Sequence, residues 1–447
     1  MGKYFGTDGF RGEVNRILTV EHAFAIGKFL GAAARERGAG ARIVIGRDTR
    51  RSADALESAL VAGMTACGSD AVLLGVVPTP AVSHLIAPMR ACFGIMISAS
   101  HNPYGDNGIK VFTAEGEKAD ETFSASLEGY LDHVVPLPLA VGDALGIVLD
   151  GSEARHTYVE HRIRLVDAPL NGMHIALDCA NGSAFAIART VFERLGAQVS
   201  CIHDAPNGIN INENCGSTHI ESLQRLVVAR QADCGFAFDG DADRCIAVDE
   251  TGQVVDGDGI LWVMGQALAK ERRLTGQTVV TTVMSNLGLR QAFEKLGIRC
   301  EATAVGDRFV QECIRRGGYA LGGEPSGHII FGDIATTGDG LITALKVAEQ
   351  MAKSGRSLRE LAQGYSPYPQ CLHSLPVADR AAAMADGGVQ RVLGEIRTQL
   401  GTKGRVLLRP SGTEPVLRVM VEASDAALCE ACAERICTVL REGGFLP

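Results

Sequence analysis

Ser98-Ala99-Ser100-His101-Asn102-Pro103 sets a hydroxyl on a turn beside an imidazole. Far downstream, Asp239-Gly240-Asp241-Ala242-Asp243-Arg244 sets three carboxylates at alternate positions. That spacing converges oxygens on a small hard cation and leaves positions for water and phosphate. A serine able to carry a phosphoryl group, next to a metal able to polarise it, points to phosphoryl transfer. Phosphorylated, Ser100 would carry roughly -1.5 to -2 charges and three acceptor oxygens, one of them a further ligand for the metal. The acidic run also matches part of an EF-hand, with Glu250 at position twelve. Position six, where that loop needs glycine, is Arg244, and both flanks read as strand, so calcium of that kind is excluded.

Other loops supply what the transfer still lacks. His101 and Lys110 bring acid-base or cationic groups to the serine loop. Arg11, between glycines in Thr7-Asp8-Gly9-Phe10-Arg11-Gly12, suits a phosphate held close to the backbone, and Arg244, at the end of the acidic run, joins the candidate catalytic residues. Gly323-Glu324-Pro325-Ser326-Gly327-His328 puts a carboxylate and a hydroxyl two residues apart, which suits adjacent sugar hydroxyls. His328 and Lys110 are the candidates for proton handling, although a lone histidine is most often structural. In Arg409-Pro410-Ser411-Gly412-Thr413, two hydroxyls flank a glycine beneath a guanidinium, and Arg418 follows on the next strand. This is a phosphate grip, and by its residues alone equally an ordinary hairpin turn.

The elements that must position these loops recur in one order. A strand at Arg42–Ile45, a helix from Ala55 to Cys67 ending at Gly68, and strands at Ala71–Leu74 and Cys92–Ile97 lead into the serine turn. Next come His174–Leu177, a helix through Val191–Leu195 ending at Gly196, Gln198–Cys201, and Cys234–Phe238 running into the acidic loop. A third pass has Val279–Thr282, a helix Leu289–Leu296 ending at Gly297, Ile298–Glu301, and Gly318–Leu321 before the sugar loop. Short apolar strands alternating with helices imply α/β domains with mixed, mostly parallel sheets, and ligands bind beyond the carboxyl ends of such strands. After Tyr365-Ser366-Pro367-Tyr368-Pro369 a smaller α+β region follows: a helix near Gly388–Leu400, strands Arg405–Leu408 and Val416–Glu422, and a closing helix.

A chain of 447 residues is too long for one ordinary core, and 46% hydrophobic with 21% charged residues is a globular composition. A net charge of -9 leaves no basic surplus for nonspecific nucleic-acid binding. No signal-type or membrane-spanning apolar run is visible, so no membrane partner is expected. The 13 cysteines read as reduced, mostly buried residues of a cytoplasmic protein. Cys429-Glu430-Ala431-Cys432, the single CxxC, falls in a helical pattern and reads as helix packing.

These motifs, in this order from Gly6 to Arg418, resemble the α-D-phosphohexomutase superfamily. Phe5 to Gly12, Ile97 to Pro103 and Ser411-Gly412-Thr413-Glu414-Pro415 look most like its phosphoglucosamine branch. Pro325 stands where the family often has Gln, Lys or Met, and Pro410 where Lys is common. The resemblance implies four domains around a central cleft: 1–152 with the phosphoserine loop, 153–252 with the metal loop, 253–366 with the sugar loop, and 367–447 with the distal phosphate site. It makes Ser100 the phosphoserine. Ser100, Asp239, Asp241 and Asp243 would hold one Mg²⁺ per subunit, Glu324 and Ser326 the sugar, and Arg409, Ser411, Gly412, Thr413 and Arg418 the distal phosphate. The implied reaction interconverts glucosamine 6-phosphate and glucosamine 1-phosphate through a sugar bisphosphate, supplying UDP-N-acetylglucosamine and peptidoglycan precursors. Residues 370–447 are the expected lid. Homodimerisation, and priming by an activating kinase or by a bisphosphate, are further expectations. The rivals are a phosphomannomutase/phosphoglucomutase and a non-catalytic phosphosugar sensor, the latter at odds with Ser100, His101, Lys110 and three aspartates in one chain.

Overall fold

The computed structural model describes residues 3–6, 8–38, 41–133, 135–410 and 416–446. Its described residues divide into two compact units, one within 3–284 and 299–363, the other within 285–298 and 364–446.

Within the larger unit three sheets repeat one design. The first holds seven described strands, in the order Phe5–Gly6, Gly9–Glu13, Asp106–Phe112, Phe93–Ile97, Arg42–Arg47, Asp70–Val76 and Val148–Asp150. Its centre is parallel, Ile43 lying beside both Ala71 and Phe93, while Asp106–Phe112 returns antiparallel along Phe93–Ile97. In the second sheet, Gln198–Ile202, His174–Asp178 and Cys234–Phe238 run parallel, and Cys245–Asp249 returns antiparallel. In the third, Arg299–Thr303, Thr278–Thr282 and Leu321–Gly323 are parallel and Ile329–Phe331 returns. The serine, acidic and sugar loops are therefore each the turn between a sheet's third parallel strand and its antiparallel return. The strands that launch them, Phe93–Ile97, Cys234–Phe238 and Leu321–Gly323, are buried at every residue, as strands covered on both faces must be.

Element boundaries follow local chemistry. Gly68, Gly196 and Gly297 take positive φ just beyond their helices, as expected. One expectation is corrected. Gly318-Tyr319-Ala320 is not strand, because helix Asp307–Gly317 ends with Gly318 at φ +60° and the strand cannot begin before Leu321. Helices Val20–Arg35 and Ala53–Ala66 cross in close contact. A Cβ on Gly27 would meet the Leu60 carbonyl oxygen at 2.2 Å, and one on Gly63 that of Phe24 at 2.3 Å.

The smaller unit has an antiparallel sheet of Gln370–Pro376, Val416–Glu422 and Arg405–Pro410, with helices Gly387–Leu400 and Ala426–Glu442 sharing its apolar core. Cys429 and Cys432 lie in that core at 1% exposure, and all 13 cysteines are free thiols, so the CxxC serves helix packing.

Candidate active site

The serine and acidic loops meet. Ser100 Oγ donates to Asp239 Oδ2 at 2.5 Å and lies 3.3 Å from His101 Nδ1. Ser100 sits at φ +53° and Ala242 in the acidic loop at φ +53°, left-handed positions uncommon for residues with a Cβ. Lys110, on the return strand, reaches Asp241 Oδ2 at 2.7 Å and Asp243 Oδ2 at 3.2 Å with its ammonium buried. The sugar loop lies against the same place: Cys245 N donates to Gly327 O at 3.0 Å, and His328 Nδ1 is 3.7 Å from Asp243 Oδ1.

Asp239, Asp241 and Asp243 each bring a carboxylate oxygen within 4.8 Å of the other two, all buried. Asp241 Oδ1 and Asp243 Oδ1 have no hydrogen-bond partner. Buried carboxylate oxygens left unsatisfied are costly, and a divalent cation is the group that satisfies three at once. With no cation, burial first and then Asp243 and Asp241 push the Asp239 carboxyl up to about 8. Burial also pushes Asp241 and Asp243 up, but nearby cations outweigh it and hold both below the usual carboxylate range: Lys110 for Asp241, and Lys110, His328 and Arg244 for Asp243. These residues fit a hard divalent metal ion.

Arg11 and Arg244 flank the serine. Each has a buried Nε without a hydrogen-bond partner, a donor open to an anion. His101 shows their field: burial first, then Arg244 and Arg11, drive its imidazole down to about 3. Glu324 Oε1 accepts from Gly306 N at 3.1 Å, while Ser326 Oγ is buried and unpartnered. His328 is oriented by a neighbour, Gly338 N donating to Nε2 at 3.1 Å, which puts the ring proton on Nδ1 facing Asp243. In the smaller unit, Arg409 and Arg418 are paired across adjacent strands. Ser411, Gly412 and Thr413 lie outside the described residues.

Several residues in this network were invisible in the sequence. Thr79 donates its hydroxyl to Asp241 Oδ2 and its N–H to the Asp241 carbonyl. Lys118 bridges Asp8 and Asp307, Asp8 also meets Arg11 and Lys110, and Asp307 Oδ2 is 3.6 Å from His328 Nε2. No motif surrounds any of them, except that Asp8 precedes the Gly9 to Gly12 loop.

The sequence matches the phosphoglucomutase/phosphomannomutase α/β/α domains I, II and III over residues 2–134, 156–252 and 256–368, and the C-terminal domain over 372–439. It is 49% identical over 448 residues to a phosphoglucosamine mutase from Lachnospira eligens, covering 100% of both chains. It is 46% identical over 441 residues to one from Mycolicibacterium paratuberculosis, covering 98% of both. A phosphoglucomutase/phosphomannomutase family protein from Burkholderia thailandensis shares the fold, with TM-score 0.81 at 23% identity over 99% of this chain and 98% of that one. So does Aspergillus fumigatus N-acetylphosphoglucosamine mutase, crystallised with GlcNAc-6P and magnesium, with TM-score 0.69 at 18% identity over 99% and 96%. The chain belongs to the α-D-phosphohexomutase superfamily and, within it, to the phosphoglucosamine mutase family.

Proposed function

We propose that this chain interconverts glucosamine 6-phosphate and glucosamine 1-phosphate, carrying the phosphoryl group on Ser100. The reading rests above all on the Ser100 hydroxyl standing 2.5 Å from Asp239 within the buried acidic trio. Mg²⁺ held by Asp239, Asp241 and Asp243, one per subunit, would supply Lewis-acid polarisation of the phosphoryl oxygens.

The sugar's 1-hydroxyl takes the phosphoryl group from phospho-Ser100: the new O–P bond forms as the Ser100 Oγ–P bond breaks. The hydroxyl proton passes by way of a basic group to the departing Ser100 Oγ, and glucosamine 1,6-bisphosphate results. After the bisphosphate reorients, its 6-phosphoryl returns to Ser100 Oγ, and the serine proton ends on the 6-oxygen. Arg11 and Arg244 hold the transferring group, with His101 beside it. Lys110 is the proton carrier. Burial lowers its proton affinity, yet Asp241 and Asp243 more than offset this and hold it protonated; with those carboxylates committed to a cation, Lys110 loses what raises it. His328, its Nε2 taken by Gly338 N–H, orients Asp243 instead. Glu324 and Ser326 meet the sugar hydroxyls, and Arg409 and Arg418, with the 411–413 loop, grip the resident phosphate. We keep the four-domain division, a cytoplasmic location, and priming by a bisphosphate or a kinase within this proposal.

Turnover of glucosamine, glucose and mannose 6-phosphates by the purified protein tests it. Glucosamine 6-phosphate should give the highest kcat/KM; equal or better handling of glucose 6-phosphate sinks the substrate assignment. Arg418→Ala should weaken phosphate binding by about 1.5–3 kcal/mol, the scale of a charge-assisted hydrogen bond, read as a raised KM.

A further inference from the structure

The turn carrying Ser100 is gripped from below by a group that the chemistry above does not use. Arg50 follows strand Arg42–Arg47 in Asp48-Thr49-Arg50 and is 1% exposed. All five donors of its guanidinium are spent. Nη2 donates to Ser100 O at 3.0 Å and Asn102 O at 2.8 Å, Nη1 to Asp106 O at 2.9 Å and to Pro103 O, and Nε to Asp48 Oδ2 at 2.9 Å. Four of these acceptors are main-chain carbonyls of one loop. Asp48, also buried, accepts from Ser98 Oγ at 2.7 Å, and Ser98 Oγ accepts the Ser100 N–H at 2.9 Å. From the second sheet's unit, Asn212 Nδ2 donates to Ser100 O at 2.8 Å and Asn102 O at 3.0 Å.

Both lone pairs of the Ser100 carbonyl and its N–H are thereby fixed. The two peptide planes on either side of Ser100 determine its φ and ψ, and φ is the left-handed +53°. A serine left to itself relaxes out of that region, and its Oγ swings away from Asp239. We infer that Arg50, braced by Asp48 and seconded by Asn212, is a positioning residue that imposes the left-handed backbone on Ser100 and so aims its Oγ for phosphoryl transfer. Arg50 touches neither Oγ nor sugar, so its loss should appear in the rate of transfer and not in sugar binding. Lysine, with three donors on one nitrogen, cannot reproduce the fork. The inference rests on Ser100 being the phosphoryl carrier.

The test is single-turnover uptake of phosphoryl from glucose 1,6-bisphosphate by dephosphorylated enzyme, followed by intact mass. Arg50→Lys should slow uptake about 100-fold, the cost of displacing a reacting atom by about 1 Å, with half-saturation by bisphosphate unchanged. Asn212→Ala, which leaves the buried ion pair intact and guards against a misfolded Arg50 variant, should slow it about 10-fold, the weight of the one of its two hydrogen bonds that falls on Ser100 O. Millimolar guanidinium should restore uptake to Arg50→Ala, and methylammonium should not. Wild-type rates in Arg50→Lys and Asn212→Ala overturn the inference. So does an effect on half-saturation alone, or a rate loss that merely tracks the folded fraction measured by near-UV circular dichroism. A wild-type protein that takes up no phosphoryl ends the phosphoserine reading itself; wild-type uptake with unimpaired variants ends only this one.

Discussion

Around Ser100, the carboxylates of Asp8, Asp239, Asp241, Asp243 and Asp307 meet the cations of Arg11, Lys110, Lys118 and Arg244. Asp241 Oδ1 and Asp243 Oδ1, buried without hydrogen-bond partners, are the oxygens a divalent cation would satisfy. Ser100→Ala removes the phosphoryl carrier without opening a cavity of consequence, so mutase activity should vanish while the thermal midpoint stays near wild type. Retained activity refutes the nucleophile. Lys110→Met should do two things. Metal-free stability should fall by about 3–5 kcal/mol, because breaking a buried pair leaves carboxylates uncompensated. Added Mg²⁺ should then raise the melting temperature more than it does for wild type, since the ammonium no longer competes for Asp241 and Asp243. Equal Mg²⁺ shifts in the two proteins would argue that Lys110 and the cation use different oxygens. The serine and the aspartate trio were legible because each is a short contiguous word with a chemical reason for its spacing. Thr79, Lys118 and Asp307 were not, since each enters alone from a distant loop with nothing local to mark it.

At the scale of elements, the contacts between helices set both stability and its pH dependence. The ring of His84, on helix Thr79–Ile86, lies 4.4 Å between centroids from that of His161 on helix Ala154–Arg164, tilted at 44°, next to Tyr158 and Arg162. Burial first, then Arg162 and His161, push its imidazole down to about 4. Unfolded, it titrates near 6.5. Between those values the unfolded chain binds a proton that the folded chain refuses, so stability should fall as pH drops from about 6.5 towards 4. Urea midpoints measured across that window should slope less in His84→Gln; an identical slope would remove His84 as a cause. The close crossing of helices Val20–Arg35 and Ala53–Ala66 gives a second case. Gly63→Leu should cost about 1–3 kcal/mol in denaturant unfolding, because the added side chain must push against the Phe24 backbone. Strands and helix ends were readable from apolar runs and terminal glycines. Helix Asp307–Gly317 and its Gly318 cap are not legible in the same way, because one glycine both ends a helix and precedes a β run.

At the scale of the molecule, stretches distant in the chain are locked by buried polar knots. Asp339 accepts from Tyr158 Oη at 2.8 Å and from Arg162 Nε at 3.0 Å and Nη2 at 2.9 Å, and also caps helix Gly340–Ser354 through Ile342 N. Gly340 N then donates to Ala242 O in the acidic loop at 3.0 Å. Asp339→Ala should therefore cost about 3–5 kcal/mol in chemical denaturation and lower kcat together, since the same helix start supports the metal loop. A stability loss with kcat intact would uncouple the two. By itself the amino-acid order determined the α/β repeat, the three turns and their chemistry, because strand periodicity, terminal glycines and closely spaced ligands are local properties. Only the tertiary structure decided that Ser100 faces Asp239, that His328 is tied to Gly338, and that Arg50 grips the serine turn. Those contacts join residues more than a hundred positions apart, or use main-chain donors and acceptors that every sequence offers alike, and so leave no trace in residue type.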